Sequence, residues 1–312
     1  MLQTTLQPAL QPSLHHLLCP DAQGSHRLAW WQWGEPDASH VVICVHGLSR
    51  QGRDFDVLAQ SLVERAAHGL RVVCPDMPGR GESDWLADPM AYGLPLYAAD
   101  LQALLAHLHS QHPIGLLDWV GTSMGGLIGM LVCGQSQAGL PAPVRRFVIN
   151  DIGPTIEWAA IERIGRYLGR AGHFDDLEQA ADALLAISAS FGPHTAAEWL
   201  ALSRPMFRPA SHDSASRLRL HYDPAIAVPF SLATQASTAQ GEAALWQLYD
   251  HIKAQTLVLR GSHSDLLSAD TAQAMTMRGP QARLVEFADV GHAPTLVAAG
   301  QVSCVTDFIL SP

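Results

Sequence analysis

Apolar and polar positions alternate along this chain with two different periods. Short apolar runs of the kind found in strands buried on both faces are separated by stretches whose apolar residues recur at helical spacing. The predicted strands span residues 28–33, 41–45, 71–75, 116–120, 146–150, 256–260 and 282–287. The predicted helices between them span residues 54–67, 98–110, 124–134 and 269–277. This order predicts an α/β fold with a mostly parallel central sheet flanked by helices.

The alternation of strands and helices is interrupted once. Residues 151–241 show no convincing strand but carry helical patterns at 158–171, 174–188 and 196–202, which prolines separate. We therefore expect a helical cap at residues 154–240, inserted into a core formed by residues 25–153 and 241–312. A helix at 242–252 is expected to return the chain to the core. Residues 1–24, which are rich in Gln and Pro, are predicted to form a loose N-terminal arm.

The predicted strand 116–120 leads directly into the sequence Gly-Thr-Ser-Met-Gly-Gly at 121–126. A sharp turn from a strand into a helix strains the backbone at its corner and leaves no room for bulky neighbours. Gly121 and Gly125 provide that room, so the Ser123 hydroxyl is expected to be exposed as a nucleophile. An ordinary glycine-rich turn is the alternative for so short a motif, but the strand before it and the helix after it favour a nucleophile.

Candidates for a base and for an orienting acid also follow predicted strands. His292 lies in a Gly/Pro loop after strand 282–287, and Asp265 lies just past strand 256–260. Asp151 directly follows strand 146–150 and is a second candidate for the acid. The loop of Asp265 has no other evident role, whereas the Asp151 carboxylate has local amides to accept from. We therefore expect Asp265 to be the acid.

With His46-Gly47 after strand 41–45 and the glycine-rich turn at 76–83, these motifs resemble those of the α/β-hydrolase fold from about residue 28 onward. The resemblance implies the catalytic order Ser123, Asp265, His292. It also implies that the backbone amides of Leu48 and Met124 form the oxyanion hole, and that a cap covers the strand ends. Some relatives take the acid from the earlier strand, so Asp151 remains a candidate for the acid.

Such a site predicts a serine hydrolase that cleaves small or medium carboxylic esters through an acyl-enzyme intermediate. The Ser-Met-Gly-Gly turn also occurs in relatives that hydrolyse carbon–carbon bonds of diketone-like acids, and a ligand sensor that retains the triad is a third hypothesis. Perhydrolase activity stays open as a side reaction. Three cap aromatics are predicted to line the substrate pocket: Trp158, Phe207 and Phe230.

Composition narrows the classes of partner. The formal net charge of −10 argues against nucleic acid, and no apolar run approaches the roughly 18 residues of a membrane span. The first residues lack the features of a signal peptide, and five cysteines, an odd number, favour a reducing cytoplasm. Neither the sixteen histidines nor the turn at 76–83 has metal-ligand or phosphate-loop spacing, so we expect no metal and no cofactor. A small-molecule substrate is the expected partner, and the sequence leaves a homo-oligomer open.

Overall fold

A central eight-stranded sheet organises the protein. The computed structural model describes residues 11–135, 139–170, 172–210 and 217–312. The sheet has the order β1-β2-β4-β3-β5-β6-β10-β11, in which β1 and β2 are antiparallel to their neighbours and the remaining strands are parallel. Its strands are β1 Ser13–Asp21, β2 Gly24–Gly34, β3 His40–Val45, β4 Leu70–Asp76, β5 Leu116–Thr122, β6 Val144–Asn150, β10 Gln255–Gly261 and β11 Arg283–Phe287.

Among the described residues, six helices of eight residues or more flank the two faces of this sheet. They are α1 Asp56–Arg65, α2 Leu94–Gln111, α3 Met124–Gly134, α8 Gln235–His251, α9 Ala269–Met277 and α10 Ala299–Leu310. Alternate side chains of each strand enter opposite cores. In β3, for example, Ile43 packs with α2 and α3, whereas Cys44 packs with α1 and α10. Burial on both faces explains why the strands are apolar at consecutive positions.

The N-terminal segment is not the loose arm that the sequence predicts. Strand β1 pairs with β2 along its whole length and extends the sheet at one edge, and His15 stacks on Trp30 with ring centroids 5.2 Å apart. Of the side chains in β1, only Cys19 is fully buried. An edge strand with so little burial carries no clear apolar period, so the sequence pattern does not reveal it. Residues 1–10 of the predicted arm lie outside the described residues.

The stretch between β6 and β10 carries an insert of helices, defined here as residues 151–234. It contains α4 Trp158–Gly165, α5 Leu177–Ile187, α6 Ala196–Ser203 and α7 Ala227–Ser231. Contrary to the prediction, it also contains an antiparallel sheet of three strands in the order β7-β9-β8, formed by His173–Phe174, Leu218–Leu220 and Phe207–Pro209. Strands of two or three residues are too short to show a period. The predicted boundary between residues 240 and 241 falls inside helix α8.

The turn between β5 and α3 is strained at a single residue. Ser123 has φ 52° and ψ −116°, a conformation that a residue with a side chain rarely adopts. A Cβ atom on Gly125 would overlap the carbonyl oxygen of Val45 in β3, and one on Gly121 would overlap that of Gly125. Both glycines are therefore required by close backbone contacts at this turn.

No helix among the described residues combines the length and apolarity needed to cross a bilayer.

Replacing Gly125 with alanine tests how much the fold depends on this contact. We expect Gly125→Ala to lower the free energy of unfolding by about 3 kcal/mol, because backbone atoms cannot move away as a flexible side chain does. The matched control is Gly241→Ala inside helix α8, where an added Cβ meets no atom within 4 Å. That change should raise the free energy of unfolding by about 0.5–1 kcal/mol. Urea unfolding of the three proteins measures both effects, and a Gly125→Ala protein as stable as the parent would contradict the packing argument.

Candidate active site

Three side chains form a continuous hydrogen-bonded chain at the carboxyl ends of the strands. Ser123 Oγ lies 2.9 Å from His292 Nε2, and His292 Nδ1 lies 2.8 Å from Asp151 Oδ2. With a neutral imidazole, Nδ1–H donates to the carboxylate and Nε2 accepts from the serine hydroxyl. A nucleophile, a base and a group that orients the base are thus in contact.

Strand register brings Ser123 and Asp151 together. Strand β6 lies between β5 and β10, with Thr122 opposite Asn150 and Asn150 opposite Leu259. The next residues continue the sheet, because Ser123 N donates to Asn150 O at 2.9 Å and Asp151 N donates to Leu259 O at 2.8 Å. His292 reaches the pair from the loop after β11.

The Asp151 carboxylate is fully buried and surrounded by donors. Besides His292, it accepts hydrogen bonds from Gly261 N at 2.8 Å and from Ser264 Oγ at 2.6 Å. A buried carboxylate without such partners would cost several kcal/mol. Asp151 has φ 57°, in the left-handed region that Asp tolerates better than most residues.

The structure places Asp265, the acid predicted from the sequence, elsewhere. Its carboxylate is 45% exposed and accepts two hydrogen bonds from Arg163 in α4, from Nε at 2.6 Å and from Nη2 at 2.9 Å. The prediction that Asp265 contacts His292 is wrong because Asp265 lies four residues beyond β10, whereas Asp151 follows β6 directly. From the Asp265 loop, it is Ser264 that reaches the site. The adjacency of Asp151 to its strand was the signal in the sequence that favoured it.

The loop carrying Leu48 is held by two buried side chains. His46 Nε2 accepts from Met77 N at 2.9 Å, and its Nδ1 lies 2.7 Å from Gly47 O. Burial, together with the charges of Arg80 and Arg50, lowers the pKa of His46 to about 3, so the ring is neutral and its Nδ1–H donates to Gly47 O. Arg80 Nε donates to Leu48 O at 2.8 Å. The turn at 76–83 thus shapes this loop.

Leu48 and Met124, whose backbone amides are the predicted oxyanion donors, line the same cavity as the serine. Met124 begins helix α3 immediately after Ser123, and a Cβ built on Gly47 would lie 3.6 Å from Ser123 Cβ. Within the described part of the chain, neither amide donates to a backbone carbonyl. Their role as an oxyanion hole stays a prediction.

Two cavities open at Ser123. The larger, of about 430 Å³, is lined mainly by aliphatic side chains of the insert and of helices α2 and α3. The smaller, of about 80 Å³, is lined by polar side chains that include His292, Arg50 and Arg163, and also by apolar ones such as Leu184 and Phe191. The insert contributes walls to both, so it covers the site.

The three predicted pocket aromatics have different locations. Phe230 lines the larger cavity at Ser123. Trp158 lines a separate cavity with Phe230. Phe207 packs in a small core of the insert, edge-on against Phe174. The aliphatic walls of the larger cavity, such as Ile156 and Ile161, have no motif in the sequence that would identify them.

Away from this site, the described residues include one cluster with metal-ligand chemistry. The ligand atoms of Cys19, His26 and Asp100 lie within 4.8 Å of one another. His26 is already bonded to Asp100 at 3.0 Å and to Asp21 at 2.9 Å, and burial raises the pKa of the Cys19 thiol to about 12. A protonated thiol is a poor ligand. Hydrogen bonding thus accounts for the cluster, and the absence of a metal stays a prediction.

Comparison with known proteins shows which family this chain belongs to. The 3-hydroxybutyrate-oligomer hydrolase of Cupriavidus necator is 44% identical over 298 residues, which cover 95% of this chain and 97% of that protein. An alpha/beta hydrolase structure from Novosphingobium aromaticivorans superposes with a TM-score of 0.79 at 33% identity, covering 96% of this chain and 99% of that one. A putative hydrolase from Rickettsia typhi superposes with a TM-score of 0.81 at 25% identity, covering 97% and 99%. The model of the alpha/beta hydrolase family matches residues 42–302, and the chain belongs to that family.

Proposed function

We propose that this hydrolase cleaves short linear oligoesters of 3-hydroxybutyrate. The observation that carries the proposal is the row of hydrogen bonds that links Ser123, His292 and Asp151. The protein that holds them is 44% identical to an enzyme named for that substrate. The relative's ester substrate favours ester hydrolysis over the carbon–carbon cleavage that the motif also permits.

The mechanism assigns one role to each group. Ser123 Oγ attacks the ester carbonyl while His292 Nε2 accepts its proton, and Asp151 stabilises the imidazolium that forms. The amides of Leu48 and Met124 donate to the oxyanion, each contributing on the order of 3 kcal/mol in the transition state. His292 then returns the proton to the departing alcohol. Water hydrolyses the acyl-enzyme by the same steps, with His292 as the base.

The larger cavity suits the aliphatic chain of such an ester. Its walls include Ile152, Ile156, Ile161 and Leu127, and no charged side chain is among the described residues that line it. Bound repeating units, each with a methyl group, would cover these walls and remove them from water. This would stabilise the complex by roughly 25 cal/mol per Å² of apolar surface buried.

We place the reaction in the cytoplasm. The support is that all five cysteines are free, four of them buried, as expected for a protein of a reducing compartment.

Ser123 should be the covalent nucleophile. A fluorophosphonate is expected to add once, on the peptide that contains Ser123, and Ser123→Ala should lose at least about a thousandfold in hydrolysis of a 3-hydroxybutyrate trimer. Mass spectrometry of the adduct and chromatography of released 3-hydroxybutyrate measure the two effects. Equal labelling of Ser123→Ala would remove this serine from the mechanism.

Asp151, and not Asp265, should orient the base. Asp151→Asn keeps the shape of the side chain but loses the charge beside the imidazolium, so kcat for p-nitrophenyl butyrate should fall by about 10³- to 10⁴-fold. The matched control is Asp265→Asn, which should stay within about fivefold of the parent because an exposed ion pair contributes about 1 kcal/mol or less. Circular dichroism establishes that both variants are folded. The opposite ranking of the two variants would restore Asp265 as the acid.

A further inference from the structure

The two cavities at Ser123 differ in their contact with the base His292. His292 lines the smaller cavity and, of the described residues, is not among those lining the larger one. The departing alcohol must take its proton from His292 Nε2, so it has to leave on the side of that ring. The smaller cavity therefore receives the alcohol, and the larger aliphatic cavity holds the acyl chain.

Two arginines line the smaller, leaving-group cavity. Arg50 belongs to the loop after β3, and Arg163 belongs to helix α4 of the insert. Ser49, Tyr167 and Ser188 add hydroxyl groups to the same walls. A cavity with these walls is suited to an anion, and guanidinium groups bind carboxylates with two parallel hydrogen bonds.

Arg50 has donor capacity that the protein does not use. Its Nε and Nη2 each donate to Asp54 at 2.7 Å, whereas Nη1 is buried and has no hydrogen-bond partner among the described residues. The residue as a whole is only 8% exposed. A buried donor without a partner costs about 1–3 kcal/mol. A ligand acceptor would remove that cost once the side chains that cover Nη1, such as Phe191, move aside.

Arg163 is the more accessible of the two. Its Nε and Nη2 bond Asp265, and the side chains of this pair are 35% and 45% exposed. Because water screens an exposed pair, Arg163 can exchange this partner for a substrate carboxylate at little cost.

On the basis of the proposed function, we propose that Arg50 and Arg163 form a subsite for the free carboxylate of the departing hydroxy acid. In a linear oligoester of a 3-hydroxy acid, only the terminal unit carries a free carboxylate. Binding that group beside His292 places the last ester bond at Ser123. The enzyme then releases single hydroxy acids from the carboxylate end, and the shortened chain leaves the larger cavity after the acyl-enzyme is hydrolysed.

The first test compares the linear 3-hydroxybutyrate trimer with its methyl ester, which differs only in the terminal charge. The parent enzyme should show a kcat/KM for the free acid that is higher by roughly 10- to 100-fold, the value of a charge-assisted hydrogen bond. Arg163→Gln should bring this ratio towards one mainly by raising KM for the acid, and Arg163→Lys should retain part of it. The matched control is Arg166→Gln, an exposed arginine at the end of the same helix, which should leave the ratio unchanged.

The second test follows the order of release. A trimer with ¹³C only in its carboxylate-terminal unit should give labelled monomer first and unlabelled monomer later, as measured by mass spectrometry of early time points. Unlabelled monomer appearing first would overturn the proposal, and so would equal rates for acid and methyl ester in the parent. The proposal would also be overturned if Arg166→Gln lost as much of the preference for the free acid as Arg163→Gln does. The preference would then reflect the overall positive charge near the site and not a specific contact.

Failure of the proposed function has a different signature. If neither trimer is hydrolysed while p-nitrophenyl butyrate is, the substrate class is wrong and the subsite falls with it. If both trimers are hydrolysed without preference, the function holds and only the carboxylate subsite is refuted.

Discussion

Backbone hydrogen bonds that extend the sheet one residue beyond its strands hold the site together. Ser123 N bonds Asn150 O after β5, and Asp151 N bonds Leu259 O after β6. These bonds set the distance between the serine and the aspartate so that a single imidazole spans it. A shift of register by one residue would turn both side chains to the opposite faces of the sheet. The chemistry thus depends on strand pairing more than on any side-chain contact.

The same two residues are among the positions where the backbone is strained. Ser123 and Asp151 both have positive φ, a conformation that costs of order 1–3 kcal/mol for each residue. At Ser123, the contact of α3 with β3 through Gly125 leaves the turn no alternative path. At Asp151, hydrogen bonds from Gly261, Ser264 and His292 offset both the strain and the burial of charge. The strain is stored where it orients reacting groups.

The insert divides the space above the strand ends. Helix α4 contributes Ile161 and Ile164 to the aliphatic cavity, and Arg163 and Ile164 to the polar one. One helix therefore separates two environments, because neighbouring residues of a helix point about 100° apart. This arrangement gives the ester bond a direction, with an apolar side for the acyl chain and a charged side for the alcohol.

The sequence by itself determined the fold class, the family and the chain positions of Ser123 and His292, because glycine spacing and apolar runs are local properties. It did not determine which aspartate faces His292, because Asp151 and Asp265 both follow strands and only the register of β6 and β10 distinguishes them. It also does not reveal strand β1, which has little burial, or the small sheet of the insert, whose strands are too short to show a period. Arg163 is one of three arginines near helical spacing within residues 158–171. Only tertiary structure placed it beside the catalytic centre, because the packing of α4 over the sheet is a long-range contact that no local pattern encodes.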